Sequence, residues 1–329
     1  MLSGRRAGAA IAATLMAIGP PTTRSTNTVR PTATSKATQP IVYRRLVGAS
    51  EVVAIVGLAD GTVRYGERAT GRVWDIPASA TVDEKPKRRA TLAVRTDGQR
   101  GLLGLALDRS GRTFASWVGS DGVLVVGQIL PGSVRVVWKG PTTTDRANGG
   151  HIVTDSDGRH LRIGIGDLLA GGPKGRLLRI DPDGQPGQRP VLVSTGWNNP
   201  YAFDVSDDGT VWVADNSPGT QPERIGRGDA TIFGNLSMKT APSGAAVLGV
   251  GPLQQLATCG YVSHRLDVWD VDERGNAGPL GPPYVVLNQR SPLATDCLTA
   301  VALLPDRRLA YATAKGINIS VDPIPDVIA

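Results

Sequence analysis

The chain has 329 residues with 41 Gly, 24 Pro and 2 Cys, a turn-rich composition that suits an all-β protein. Its formal net charge of +7 is concentrated at one end: Arg5, Arg6, Arg24, Arg30 and Lys36 fall within residues 1–40, which hold no acid. The remainder carries only about +2, which excludes an electrostatic case for nucleic acid as a partner.

Residues 1–19 read as a secretory signal peptide. Arg5-Arg6 form the positive region, and Ala7 to Gly19 form an apolar stretch too short for a transmembrane helix. Residues 20–40 are rich in Thr, Pro and Ser and read as a disordered stalk. Residues 41–329 are expected to be one domain in a secreted or cell-envelope protein.

Within that domain a turn ending in Gly recurs at Gly61, Gly111, Gly158, Gly209 and Gly260, with Arg307 in the next slot. The intervals are 50, 47, 51, 51 and 47 residues. Each turn leads into a short strand-like run: Thr62–Arg68, Arg112–Val118, His160–Asp167, Thr210–Asn216, Tyr261–Arg265 and Arg308–Thr313. A period of this length indicates radial repetition, and six units of about four strands describe a six-bladed β-propeller. The strand at Ile41–Leu46 is expected to close the ring by pairing near Ile317–Ser320. The run Lys85-Pro86-Lys87-Arg88-Arg89 reads as a solvated loop between strands. Cys259 and Cys297 fall in adjacent predicted blades; an even pair in an exported protein favours a disulfide, with two buried thiols as the alternative.

With the blades placed, a series of motifs follows in order. Gly98-Gln99-Arg100-Gly101-Leu102-Leu103-Gly104-Leu105-Ala106 opens the second blade. Asn148-Gly149-Gly150 opens the third, which ends in Gly166-Asp167. Gly175 to Gly184 comes next, and Asn199-Pro200 leads through Asp208-Gly209-Thr210-Val211-Trp212-Val213-Ala214-Asp215-Asn216 to Glu223. Gly66-Glu67-Arg68 with Gly71-Arg72-Val73 fits the first blade, and Ala241-Pro242-Ser243-Gly244 precedes the fifth. This series resembles the soluble quinoprotein glucose/sorbosone dehydrogenase family over roughly residues 45–315. The resemblance implies an exported six-bladed propeller that oxidises aldose sugars with pyrroloquinoline quinone (PQQ) and calcium. It implies a His as general base, arginines on the quinone carboxylates and calcium as a Lewis acid.

The chain departs from that pattern where the chemistry resides. The family's His position reads Ala147, with His151 four residues on as the candidate for a displaced base. The Arg of the family's Arg-Asn-Pro is Asn198. The last blade's Arg-x-Arg positions read Cys297 and Thr299, and Ser263-His264-Arg265 offers no secure counterpart of the fifth-blade Lys. Gln99 matches a substrate-contacting glutamine, Asn199 and Asp215 match cofactor-side positions, and Ser217-Pro218 falls where backbone carbonyls hold calcium. Arg146, Asn148, Trp197, Asn198, Asn199 and Tyr201 complete the candidate ligand-binding set, because aromatic faces beside amides hold sugar rings.

Three functions follow as expectations. The first is an exported propeller that binds a sugar, glycan or protein at the channel mouth without family-type catalysis. The second is PQQ- and calcium-dependent oxidation of an aldose in a remodelled site. The third is cofactor-free chemistry in the same channel, using Arg146, His151, Asn198, Asn199 and Asp215. No G-x-S-x-G elbow, Walker loop, CxxC pair or HExxH helix supports a hydrolase, nucleotide or zinc reading.

Overall fold

The computed structural model describes residues 40–82, 84–170, 174–219, 221–235, 239–249, 254–271, 288–289, 292–326 and 328. The expected signal peptide and nearly all of the stalk lie outside the described residues. Among the described residues there is no helix, and so none long and apolar enough to cross a membrane.

Strand β1 (Tyr43–Val47) precedes six four-stranded antiparallel sheets, to the last of which it belongs. Blade 1 is β2 (Val52–Gly57), β3 (Thr62–Glu67), β4 (Arg72–Pro77) and β5 (Lys87–Thr91). Blade 2 is β6 (Leu102–Leu107), β7 (Thr113–Val118), β8 (Val123–Leu130) and β9 (Ser133–Thr142). Blade 3 is β10 (Gly149–Thr154), β11 (Leu161–Ile165), β12 (Gly175–Ile180) and β13 (Val191–Trp197). Blade 4 is β14 (Ala202–Val205), β15 (Val211–Asp215), β16 (Arg224–Arg227) and β17 (Ile232–Asn235). Blade 5 is β18 (Pro242–Leu248), β19 (Gln254–Gly260), β20 (Leu266–Val271) and β21 (Asn288–Gln289). Blade 6 is β22 (Val301–Leu303), β23 (Leu309–Thr313) and β24 (Gly316–Ser320), completed by β1.

The first strands β2, β6, β10, β14, β18 and β22 contact one another in succession, and β22 returns to β2. The ring is therefore closed, as a six-bladed β-propeller. Its seam is the pairing of β1 with β24, with Tyr43 opposite Ser320 and Arg44 opposite Ile319. Joining the two ends of the domain in one sheet gives blade 6 its outermost strand and ties the ring shut.

Each blade buries both faces against its neighbours. Apolar clusters fill the interfaces, such as Val53, Leu102 and Trp117 between blades 1 and 2, or Trp212, Leu256 and Trp269 between blades 4 and 5. Second strands are therefore enclosed on both faces; β7, β15, β19 and β23 are buried at every position.

The repeated turns are one structure. Gly61, Gly111, Gly158, Gly209 and Arg307 donate their N–H to Leu58, Asp108, Asp155, Ser206 and Leu304 three residues back. All five have positive φ, between 64° and 89°. This is a type I turn closed by a left-handed residue, a usual hairpin connection.

The fifth expected turn is a correction. Gly260 ends β19, and the chain over Tyr261–Ser263 is a turn rather than a strand. The equivalent connection, between Leu248 and Gln254, falls mostly outside the described residues. Gly260 is small for a different reason: a Cβ there would collide with Ser263 Oγ and lie 2.9 Å from the Thr240 carbonyl. The basic run is a second correction, since Lys87 to Thr91 form the outer strand β5 and not a loop. An outermost strand has one neighbour and faces water, and its charges discourage pairing with another chain.

Candidate functional site

A cleft of about 460 Å³ opens where the first strands begin and the second strands end, opposite the repeated turns. All six blades line it. Ser50, Glu51 and Arg68 come from blade 1; Gly98, Gln99 and Leu103 from blade 2; Asn148 and Gly149 from blade 3. Asn199, Tyr201 and Asn216 come from blade 4; Ala241, Ser243 and Tyr261 from blade 5; Leu298, Thr299 and Ala314 from blade 6.

The backbone at this end is irregular. Pairing slips near the starts of β2, β6, β10 and β18, each time within the first residues of the strand. Bulges of this kind re-aim side chains and are common beside functional sites. Non-glycine residues with left-handed φ also gather here: Glu51 (48°), Ala147 (53°), Leu168 (54°), Leu169 (59°), Ala241 (50°) and His264 (54°). Holding such conformations costs of order 1–2 kcal/mol each, which the surrounding structure must offset.

The structure brings part of the candidate set together. Gln99, Asn148, Asn199 and Tyr201 line the cleft. Gln99 Oε1 accepts the Ala147 N–H at 3.0 Å and so fixes the loop that bears the expected base position. Asn148 folds back on that loop, accepting from Thr144 N at 2.8 Å and donating to Thr144 O at 2.9 Å. Asn199 Oδ1 accepts the Gly149 N–H at 2.9 Å and ties blade 4 to blade 3. The Tyr201 hydroxyl donates to the Leu103 carbonyl at 2.7 Å, and burial pushes its pKa above the usual phenol range.

The remaining candidates lie elsewhere. Trp197 is fully buried in the interface between blades 3 and 4, its indole N–H donated to Ser194 Oγ at 2.9 Å. Arg146 points into solvent, 66% exposed, with the Asp145 carboxylate 3.9 Å away. Asn198 is buried outside the cleft lining and donates its side-chain amide to the Asn216 carbonyl. Asp215, fully buried, accepts the N–H groups of Asn198 (3.0 Å) and Asn199 (2.8 Å) and pairs with Arg224. It thereby shapes the Asn-Asn-Pro turn without facing a ligand.

His151 lies two residues farther along β10 than Gly149 and is not part of the cleft lining. Its ring packs against Tyr201, centroids 5.6 Å apart, and edge-on to Phe203 at 5.2 Å. Its Nδ1 has no hydrogen-bond partner among the described residues. Burial pushes its pKa down to about 4, although the Phe203 backbone raises it somewhat. Such an imidazole is neutral at pH 7 and a weak base.

The ionic balance of the cleft decides what it can hold. Among the described residues that line it, Arg68 is the one cation and Glu51 the one anion. They pair at 3.0 Å, and Arg68 donates further to the carbonyls of Arg100 (2.7 Å) and Gly98 (3.0 Å). The expected arginine positions contribute Asn198, the disulfide-bonded Cys297 and Thr299, whose hydroxyl donates to the Val52 carbonyl. A quinone bearing several carboxylates finds no unpaired cation among these residues, and the lining does not fit PQQ.

Ser217 and Pro218, the pair expected at calcium, lie just beyond β15. The Ser217 carbonyl accepts from Lys239 Nζ, and the Pro218 carbonyl accepts the Gln221 N–H at 3.2 Å. No group of three or more His, Cys, Asp or Glu side chains among the described residues is arranged to hold a metal. Cys259, on β19, and Cys297, before β22, have Cα atoms 5.4 Å apart and are bonded, joining blades 5 and 6 close to Thr299.

Sequence reasoning missed Arg68, Asn216, Glu51 and Tyr261 as lining residues. A signal was present: Arg68, Asn216 and Ala314 each lie seven residues beyond a turn residue, at Gly61, Gly209 and Arg307. That spacing spans one second strand and lands on the cleft rim.

No family model matches the sequence, and no curated protein matches it. Solved structures do. A crystal structure described as a putative oxidoreductase (glucose dehydrogenase) from Thermus thermophilus superposes with TM-score 0.67 at 20% identity, covering 85% of this chain and 99% of that one. The PQQ-bound form of aldose sugar dehydrogenase from Streptomyces coelicolor gives 0.65 at 17%, covering 85% and 98%. A calcium structure of a Trichoderma reesei carbohydrate-active enzyme of family AA12 gives 0.58 at 12%, covering 86% and 95%. Over nearly the whole length of those proteins, the chain has the fold of the sugar dehydrogenase propellers.

Proposed function

We propose that this protein binds a neutral, hydroxyl-rich ligand of sugar size in the cleft, without the quinone chemistry of the proteins it resembles. One observation carries the reading: among the described residues the cleft presents amides, hydroxyls and aromatic rings around one guanidinium that Glu51 already neutralises. Amide and hydroxyl groups exchange hydrogen bonds with sugar hydroxyls, and an exposed ring such as Tyr261 offers an apolar face to a pyranose. Ala147 at the base position, and a His151 that is acid-shifted and lies off the cleft lining, argue against general-base removal of a sugar proton. Export belongs to the same reading, supported by the leader composition and by the disulfide, which persists in oxidising compartments.

The test is calorimetric titration of the full chain with a panel of aldoses, disaccharides and sugar alcohols. Saturable binding is expected, weakened about five- to tenfold by Gln99→Ala or Tyr261→Ala. Absence of binding across the panel would refute the reading. A second reading, PQQ-dependent aldose oxidation, draws support from Gln99 and Asn199 at the cleft and from the PQQ-bound neighbour. It requires another residue to act as base, and predicts dye reduction in the presence of PQQ and calcium.

A further inference from the structure

Glu223 is fully buried beside the cleft. Its carboxylate accepts the Ser217 N–H at 2.5 Å and the Ala241 N–H at 3.0 Å, joining the loop that leaves β15 to the segment that enters β18. Two backbone donors leave its charge uncompensated. Lys239 supplies the compensation: Nζ lies 3.0 Å from Glu223 Oε1 and donates as well to the Ser217 carbonyl. The ammonium is thus held by one carboxylate oxygen and one backbone carbonyl, with Ser217 next in the chain to Asn216 and Lys239 two residues before Ala241, both of which line the cleft. A carboxylate and a carbonyl are the oxygen donors a hard divalent cation takes, and they lie where the resemblance implies calcium.

We infer that the Lys239 ammonium is the resident cation of this loop, and that the propeller holds its blade 4–blade 5 junction without a divalent metal. A calcium ion needs about six to eight oxygen ligands. To use Ser217 and Glu223 it would have to expel Lys239 and tolerate the displaced ammonium nearby. The Pro218 carbonyl is also engaged, by Gln221. The identity of the loop's cation is independent of whether the cleft binds a sugar.

Thermal unfolding of the full chain tests it, in millimolar calcium chloride and in EDTA, for the wild type and for Lys239→Met. The wild type is expected to unfold at the same temperature in both. Lys239→Met strands a buried carboxylate and is expected to lose roughly 5 °C in EDTA, most of it restored by calcium entering the vacated donors. Lys239→Arg keeps the charge and should remain within about 2 °C of wild type and indifferent to calcium. A calcium-dependent rise in the wild type overturns the inference. So does Lys239→Met that is as stable as wild type in EDTA, or destabilised with no recovery in calcium. Should Lys239→Met fail to fold, the wild-type and Lys239→Arg measurements decide alone, since a calcium response in either contradicts a resident ammonium.

Discussion

The two ends of the propeller solve the same problem differently. At the turn end, the left-handed position of each repeated hairpin is filled by Gly in blades 1 to 4 and by Arg307 in blade 6. At the cleft end Gly98 and Gly149 are left-handed too, but six non-glycine residues join them, four of them, Glu51, Ala147, Ala241 and His264, beside the beginnings of strands. Glycine makes a turn easy and featureless. A side chain in that conformation costs stability but puts a carboxylate, at Glu51, or a methyl, at Ala241, on the cleft lining. Regularity marks the end that serves the fold, and strain marks the end that faces a ligand.

The largest expected effect tests what holds the strained end in place. Asp215→Ala removes the acceptor for Asn198 and Asn199 and leaves Arg224 without its carboxylate partner, so unfolding free energy should fall by about 3–5 kcal/mol in urea denaturation. An effect below about 1 kcal/mol would show that the turn holds itself. Replacing both Cys259 and Cys297 by Ala should cost about 4 kcal/mol, as expected for closing a loop of 38 residues. That loss should appear in non-reducing buffer and vanish when wild type and variant are compared in dithiothreitol.

Two half-buried groups act oppositely on acid stability. His151 is pushed down to about 4 by burial, so the stability linked to its neutral form is present above pH 6.5 and lost as pH falls towards 4. Burial pushes Asp204 up to about 6, so its contribution is present below its ordinary value and lost as pH rises through 6. Between about pH 4.5 and 7, His151→Gln should lessen the acid loss of stability by up to about 2 kcal/mol, and Asp204→Asn should steepen it. Urea midpoints at the two pH values measure both; parallel changes in the two variants would contradict the burial argument.

The smallest effects bear most directly on the contrast between the ends. A methyl group added at Gly111 would meet nothing within 4 Å, so Gly111→Ala is a test of conformation alone. It should lose about 1 kcal/mol. Ala147→Gly, at φ 53°, should gain about 0.5 kcal/mol. Equal signs for the two substitutions would dissolve the distinction.

The fold was legible because the turn end repeats. Small and acidic residues start the hairpins, Gly closes most of them, and the same hydrogen bonds recur at nearly constant spacing. The reading failed at blade 5 because β19 is buried on both faces and built of Gln, Leu, Ala, Thr, Cys and Gly. No alternation set its limits, and Gly260 fell on the period by coincidence. The site was less legible for two reasons. Trp197 beside Asn198 is a binding platform by composition and a core residue by position, since strand β13 turns it into the interface between blades. The residues that do reach the rim, such as Arg68 and Asn216, are placed by the ends of strands, and only their offset from the turn records it.

A cleft that suits neutral hydroxyl-rich ligands, with the Arg68 guanidinium already paired, should refuse the quinone. Titration of the full chain with PQQ in millimolar calcium, followed by dye reduction with the aldose panel, decides whether it does. No saturable PQQ binding in the micromolar range and no turnover are expected. Saturable binding with turnover would contradict this reading of the cleft. It would mean that a cation other than Arg68 meets the quinone, and that a residue other than the one at position 147 takes the sugar proton.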